Sequence, residues 1–226
     1  MSSQSPSFDE FASTYQDTMS DALGRMGGDA SFYMEQKIRL MSRILHGKRA
    51  RKILDFGSGI GLSIPYFRRY FPSAEVVCTD ESLESIAILK TKYPQVSTCG
   101  LSELKPNSFD VVLLSNVLHH IDPRDRSTVV RRIGDLLASD GRLVVFEHNP
   151  FNPVTRRVVD RCKFDEGVVL LKPSEVSGLL CAIEGISLEQ QGFCTFVPQS
   201  LAVLAPLERL LTWCPMGGQH FTVVRR

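Results

Sequence analysis

ILDFGSGIGLSI, residues 53–64, sets a short apolar run carrying Asp55 directly before three glycines spaced two apart, Gly57, Gly59 and Gly61. A strand that ends in glycines and turns into a helix lets a ligand reach bare backbone. It also aims the unpaired N–H groups of the helix start at that ligand. Dinucleotide sites use the spacing GxGxxG, whose third glycine lets the helix pack closely on the strand. Leu62 stands at that third position here, so the dinucleotide pattern fails. An NAD-dependent oxidoreductase is therefore the weaker reading.

Outward from this run, apolar β-rich segments recur at Lys52–Phe56, Glu75–Thr79, Phe109–Ser115 and 142–147, with a shorter one at 95–99 and helical stretches between them. That alternation predicts an α/β fold, a parallel sheet with helices on both faces. VVLLS at 111–115 and LVVFE at 143–147 are continuous rather than alternating, as befits strands buried on both sides. Pro65 falls in the first turn after the glycines, and Asp122-Pro123 predicts a helix running to about Ala138. Residues 82–92 and 174–184 read as helices opened by serines. Residues 188–197 and Gln219–Arg225 read as strands.

Between those last strands, residues 198–214 place Leu201, Leu204, Leu207, Leu210, Leu211 and Trp213 at helical spacing. Packing into the core is the expected use, with a lid over an apolar ligand as the alternative and a membrane or partner contact behind it. Two helical patterns within 8–46, parted by Gly27-Gly28, predict a cap. The expected organisation is an N-terminal helical cap over 1–46 and one domain over 47–226, with a helical insertion at about 198–218.

Among 226 residues, 26 Lys and Arg face 25 Asp and Glu, a net charge of +1, so no global field draws polyanions and nucleic-acid binding is not expected. Six scattered cysteines form no CxxC pair and have no clustered His partners in sequence, so each reads as a small buried hydrophobe and no metal is expected. With no basic, apolar signal segment at the N-terminus, a reduced cytoplasmic setting is expected. No run approaches the roughly 18 apolar residues of a membrane span, which leaves peripheral membrane contact open.

The glycine run resembles motif I of the class I S-adenosylmethionine-dependent methyltransferases, where an acidic residue lies two positions before GxGxG. Further landmarks follow in that family's order: VVCTDES at 76–82 with Asp80, SFDVVLLSNVLHHI at 108–121 and SDGRLVVFEHN at 139–149. The resemblance implies a doubly wound, Rossmann-like, seven-stranded sheet, mostly parallel with an antiparallel C-terminal strand, and S-adenosylmethionine as cofactor. It implies that Asp80 accepts both ribose hydroxyls, that Asp55 organises the loop and helps receive the ammonium group, and that Gly57, Ser58, Gly59 and Gly61 admit the methionine part. Ser115 and Asn116 would complete the cofactor site. Adenine would sit by 99–102, bordered by Glu81. Many relatives carry a carboxylate where Leu101 and Ser102 stand here, so Ser102 or a backbone group is expected to meet the adenine amine.

Methyl transfer needs an aligned acceptor and, where that acceptor carries a proton, a nearby base. The carboxyl edge of the sheet offers His119 and His120 after the fourth long run and His148 after the fifth. His148 is the expected base, His120 and Tyr15 the alternatives, and His119 a packing residue. Asn-Pro steps at 149–150 and 152–153 predict a rigid polar lip. Arg156, Arg157, Arg161 and Lys163 follow it, a solvated face or a docking point for an anionic acceptor. Phe11, Tyr15, Phe32, Tyr33 and Lys37 are similar to elements before motif I in small-molecule members of the family. The expected function is O-methylation of a small or lipid-linked acceptor, against a non-catalytic cofactor-binding subunit. Ser115-Asn116-Val117-Leu118 lacks the Asn/Asp-Pro-Pro-Tyr pattern of nucleic-acid methylation.

Overall fold

The apolar runs form the middle of one seven-stranded sheet, in the order β3-β2-β1-β4-β5-β7-β6. The structure is a computed structural model that describes residues 29–162 and 165–226. Its strands are β1 (Lys52–Phe56), β2 (Glu75–Thr79), β3 (Ser97–Thr98), β4 (Phe109–Ser115), β5 (Leu137–His148), β6 (Ser187–Cys194) and β7 (Gln219–Arg225). β1 to β5 run parallel, and β7 lies antiparallel between β5 and β6. The chain winds outward from β1 in both directions, which puts the glycine loop at the topological switch where open α/β sheets bind ligands.

Continuous apolarity is explained by the two faces. Leu54, Val112, Leu114 and Val145 pack against Val130 and Ile133 of α4 (Arg126–Leu136) and Val176 and Leu180 of α6 (Pro173–Cys181). Their neighbours Ile53, Val111, Leu113 and Val144 pack on the opposite face. There they meet Ile38 and Met41 of α1 (Ala30–Ile44) and Phe67 of α2 (Ile64–Tyr70). A strand whose every residue is buried on one side or the other has no room for polar alternation.

Local signals place most ends. Pro65 sits in the first turn of α2, and Ser82 caps α3 (Leu83–Lys92) by accepting from the Ser85 amide. Asn152 caps α5 (Pro153–Val159) by accepting from the Val154 and Thr155 amides. Three expectations shift. Asp122 accepts from the Arg124 amide at 2.9 Å, so its Pro123 sits in a turn and α4 starts at Arg126. α4 also ends two residues early, because Leu137 turns extended and pairs with Phe109, making β5 much longer than 142–147. α6 opens at Pro173 rather than at a serine cap, with the Lys172 amide donating to Glu175.

Residues 198–214 depart furthest from expectation. They contain a 3₁₀ segment, Gln199–Leu210, kinked at Leu201 and carrying Pro206 inside. At three residues per turn, Leu201, Leu204, Leu207 and Leu210 fall into one row. That row faces outward: the four are 43–62% exposed and Trp213 is 76% exposed, while only Ala205 of the segment is buried. Packing into the core is thus overturned for the leucine row. What turns inward is Glu208, whose carboxylate accepts from the Thr195, Phe196 and Val197 amides. Three backbone donors at the end of β6 hold the acidic edge in and leave the leucines out. The second N-terminal pattern is α1, while the first, with Phe11 and Tyr15, lies outside the described residues.

Candidate active site

The glycine loop is built around β2. Gly57 and Ser58 amides both donate to the Thr79 carbonyl, at 2.9 and 3.1 Å. Gly57 has φ +76°, and a Cβ there would stand 2.6 Å from Val117 Cγ2. Gly61 has φ +82° and meets Leu89 and Tyr93 in the same way, at 3.0 and 3.2 Å. Two of the glycines are therefore required by packing. Gly59 differs: its φ is +52°, and nothing lies within 4 Å of where a Cβ would be. Space beside bare backbone is left open there.

Asp80 closes β2 facing that gap. Its Oδ2 accepts from the Gly59 amide at 2.7 Å and its Oδ1 from the Ser82 amide at 2.9 Å. Burial raises its pKa, and those amides pull it back. Asp55 is buried and accepts a short hydrogen bond from Ser63 Oγ. Burial raises the Asp55 carboxyl to about 6, against the Ser63 hydroxyl that lowers it. Leu101 and Ser102 form a short 3₁₀ turn in which the Leu101 carbonyl accepts from Arg132 at 2.7 Å and Ser102 is exposed. Glu103, one residue beyond, accepts from the Gly100 amide at 2.6 Å. The carboxylate that position 101 or 102 lacks stands at 103, turned back on its own loop. Glu81 is exposed beside Asp80.

On the other side of Leu62 a cavity of about 540 Å³ opens, reached by Lys37, Ser115, Asn116, His148 and Gln219 and walled by apolar groups such as Met34, Val158, Phe196 and Met216. Lys37 is 4% exposed and donates to Ser115 Oγ at 2.9 Å. Burial lowers its pKa to about 8 even though Glu147 and Asp55 raise it. Asn116 adopts φ +60°, a left-handed conformation, with its Oδ1 accepting from Gln219 Nε2 at 2.9 Å. The expected lip is braced from behind, with Asn149 Nδ2 donating to the Pro215 and Gly217 carbonyls and Asn152 Nδ2 to the Met216 carbonyl.

Of the expected bases, His148 lines the cavity and His120 does not; Tyr15 lies outside the described residues. Burial first, then the neighbouring His119, lowers the His148 pKa to about 3. The same two causes lower His120 to about 4. His119 is more than a packing residue: its Nδ1 lies 2.5 Å from Glu147 Oε2, and both side chains are fully buried. Glu147 also accepts from the Val117 and Leu118 amides, at 3.1 and 2.7 Å. The carboxylates of Glu147 and Asp165 hold His119 above the ordinary imidazole range despite burial. Arg156, Arg157 and Arg161 are exposed and absent from the cavity wall, and Lys163 lies outside the described residues.

Sequence reading left three site residues without a role. Lys37 was visible through its four-residue spacing from Tyr33, which puts both on one face of α1, and both line the cavity. Glu147 carried only the signal of a carboxylate ending an apolar strand. Asp165 carried none, because its place beside the histidines is set by the loop after α5.

Residues 54–143 match the family model described as a methyltransferase domain. Trans-aconitate 2-methyltransferase of Mycobacterium tuberculosis (strain ATCC 25177 / H37Ra) is 30% identical over 39% of this chain and 34% of its own length. Its namesake in Mycobacterium ulcerans (strain Agy99) is 30% identical over 62% of this chain and 58% of its own. The chain thus spans between about a third and three fifths of these curated relatives. Among solved structures, a TehB-like SAM-dependent methyltransferase from Corynebacterium glutamicum superposes with a TM-score of 0.62 at 19% identity, covering 96% of each chain. An S-adenosylmethionine dependent methyltransferase from Mesorhizobium loti does so at 0.61 and 18%, covering 84% of this chain and 98% of that one. The fold is the same in all three.

The loop fits S-adenosylmethionine: the gap at Gly59 admits a ligand against backbone, and Asp80 at the strand end offers two carboxylate oxygens for a diol. Replacing Asp80 by alanine is expected to weaken S-adenosylhomocysteine binding by about 2 kcal/mol, the loss of charge-assisted hydrogen bonds. Calorimetry showing unchanged affinity would remove Asp80 from the site. Over residues 54–143, the stretch that carries the glycine loop, the chain matches a methyltransferase domain, and its fold is that of S-adenosylmethionine-dependent methyltransferases.

Proposed function

We propose that the chain methylates an oxygen atom of a small acceptor that joins an apolar body to one anionic group. The observation that carries this reading is the buried Lys37 ammonium on a cavity whose wall, part apolar and part polar, holds no carboxylate and no second Lys or Arg. S-adenosylmethionine supplies a sulfonium-borne methyl group, open to in-line displacement. The chain's residues supply alignment. Lys37 draws an anionic group to the Ser115 end of the cavity, and the apolar part of the wall excludes water from around it. The braced 149–153 lip keeps the opening in one shape.

The relatives named trans-aconitate 2-methyltransferase act, by that name, on a polycarboxylate, which supports an anionic acceptor. One buried cation among uncharged groups suits a single carboxylate better than three. A carboxylate oxygen needs no base, whereas a hydroxyl acceptor would hydrogen-bond to His148, neutral across the working range. Because its pKa is held near 3, far below neutrality, His148 contributes little proton affinity. His148→Ala should slow transfer by about tenfold, less than a well-matched base contributes, with cofactor affinity intact. A thousandfold loss would make it a true general base. The six free thiols support a reduced, cytoplasmic setting.

The test incubates the full chain with methyl-labelled S-adenosylmethionine and a small-molecule cell extract, with Asp80→Ala in parallel. Label should appear in a metabolite and leave as methanol on mild alkali, as a methyl ester does. Alkali-stable label in the organic phase would shift the acceptor to a hydroxyl on an apolar or lipid-linked compound. No label above the Asp80→Ala background would make the chain a non-catalytic cofactor-binding subunit.

A further inference from the structure

Behind His148, away from the cavity wall, the loop after β4 and the loop after α5 bring three side chains together. His119 Nε2 lies 3.4 Å from Asp165 Oδ1, and His120 Nε2 lies 3.3 Å from the same oxygen. The two imidazole rings are 4.1 Å apart between centroids. All three groups can offer a ligand atom within 4.8 Å of one another. We propose that His119, His120 and Asp165 bind a divalent transition-metal cation of the zinc class, which ties the loop after α5 to the carboxyl edge of the sheet.

Three observations carry this. The first is separation: ligand atoms on a tetrahedral centre with bonds of about 2.0–2.1 Å stand about 3.3–3.4 Å from one another, which is what the two nitrogen-to-oxygen distances are. The same distances are long for a charged hydrogen bond, which closes to about 2.7–2.9 Å. The second is an orphan. His119 is buried, and its Nε2 has no hydrogen-bond partner although a carboxylate and a second imidazole face it. The third is orientation: with Glu147 accepting from His119 Nδ1–H, Nε2 is the ring nitrogen turned toward Asp165 and His120, and deprotonation there leaves it free to ligate. A carboxylate behind a ligating histidine is the usual support of a metal-bound imidazole.

Charge states suit ligation at two of the three positions, and His119 must give up a proton to ligate. His120 is held neutral by burial and by His119, ready to ligate, and Asp165 is ionised because the surrounding histidines outweigh its burial. A cation would displace any proton that His119 carries between its two carboxylates. Two imidazoles and one carboxylate select zinc, cobalt or ferrous iron over magnesium, which prefers an all-oxygen shell. One tetrahedral position stays open for water. The sequence-based expectation of no metal rested on the lack of clustered partners, and Asp165 supplies one from a distant segment.

This inference does not depend on the methyl-transfer reading. The metal-stripped full chain is titrated with cobalt(II), whose tetrahedral complexes absorb strongly in the visible. One equivalent should bring up the ligand-field bands, zinc should abolish them by displacement, and a large excess of magnesium should not. Because His119 is buried and its loss endangers folding, the variants are Asp165→Asn and His120→Gln at the two less buried positions. Each should lose the bands by at least tenfold in affinity while S-adenosylhomocysteine still binds. Absence of tetrahedral bands in the parent chain, or bands that persist in both variants, would overturn the site.

Discussion

Glu147→Ala should lower folding stability by about 3–5 kcal/mol, read as a drop in the urea midpoint with an unchanged slope. The carboxylate sits at the end of β5 with no exposed atom and satisfies three donors at once: the Val117 and Leu118 amides and His119 Nδ1. Truncation leaves all three buried without a partner. Each stranded amide costs about 1–3 kcal/mol, and the stranded imidazole more where it is charged. The same carboxylate fixes the turn out of β4, and Gly57 lies against Val117 within that turn, so the loss should spread to the glycine loop. A variant that unfolds within 1 kcal/mol of the parent would mean that water takes the place of the carboxylate. The hub would then be less closed than its burial indicates. Glu147→Gln separates shape from charge: it keeps one acceptor for the amides but loses the anion beside His119, and should fall between the two.

How much of this was legible in the sequence depends on the range of the interaction. Lys52–Phe56, Glu75–Thr79, Phe109–Ser115 and Gln219–Arg225 were readable to the residue, because a strand buried on both faces writes its own apolar run. The loop was readable for a related reason. Gly57 and Gly61 are positions where a positive φ coincides with a neighbouring side chain, and only glycine satisfies both. A helix start governed by a local cap, that of Ser82, was also readable, whereas Asn152 was read as part of the lip and not as the cap it is.

Failures cluster where a distant partner decides. Residues 198–214 carry helical spacing, yet three amides at the end of β6 claim Glu208, and Pro206 and a kink at Leu201 tighten the coil. No periodicity reports that competition. His119 looked like packing because its two carboxylates come from β5 and from the loop after α5, and neither adjacency is written locally. Arg156, Arg157 and Arg161 after the lip are exposed, whereas the cation on the cavity comes from α1, a helix that precedes the motifs altogether.

That cation is the subject of the second large effect. Lys37→Met should raise the stability of the ligand-free protein at pH 7 by about 3 kcal/mol while weakening acceptor binding. Burial lowers the Lys37 pKa from 10.5 to about 8, so the folded state holds the ammonium less readily than the unfolded chain does. About 2.5 pKa units correspond to about 3 kcal/mol at roughly 1.36 kcal/mol each. The sign follows from proton counting. Between pH 8 and 10.5 the unfolded chain binds more protons than the folded one, so stability rises with pH across that window. Below pH 8 both states are protonated and the full penalty remains. Methionine has similar length, fills the same space and carries no charge, so the variant should be the more stable at pH 7 and should lose the rise above pH 8. Urea unfolding of both proteins at pH 7 and pH 10 measures both features. Equal stabilities at pH 7 would mean that Lys37 is solvated through the cavity. Its cation would then be a surface charge rather than one held at a cost for an anionic ligand to neutralise. A stabilised variant with weakened acceptor binding would fit the trade-off in which a binding site is kept polar against the interest of folding.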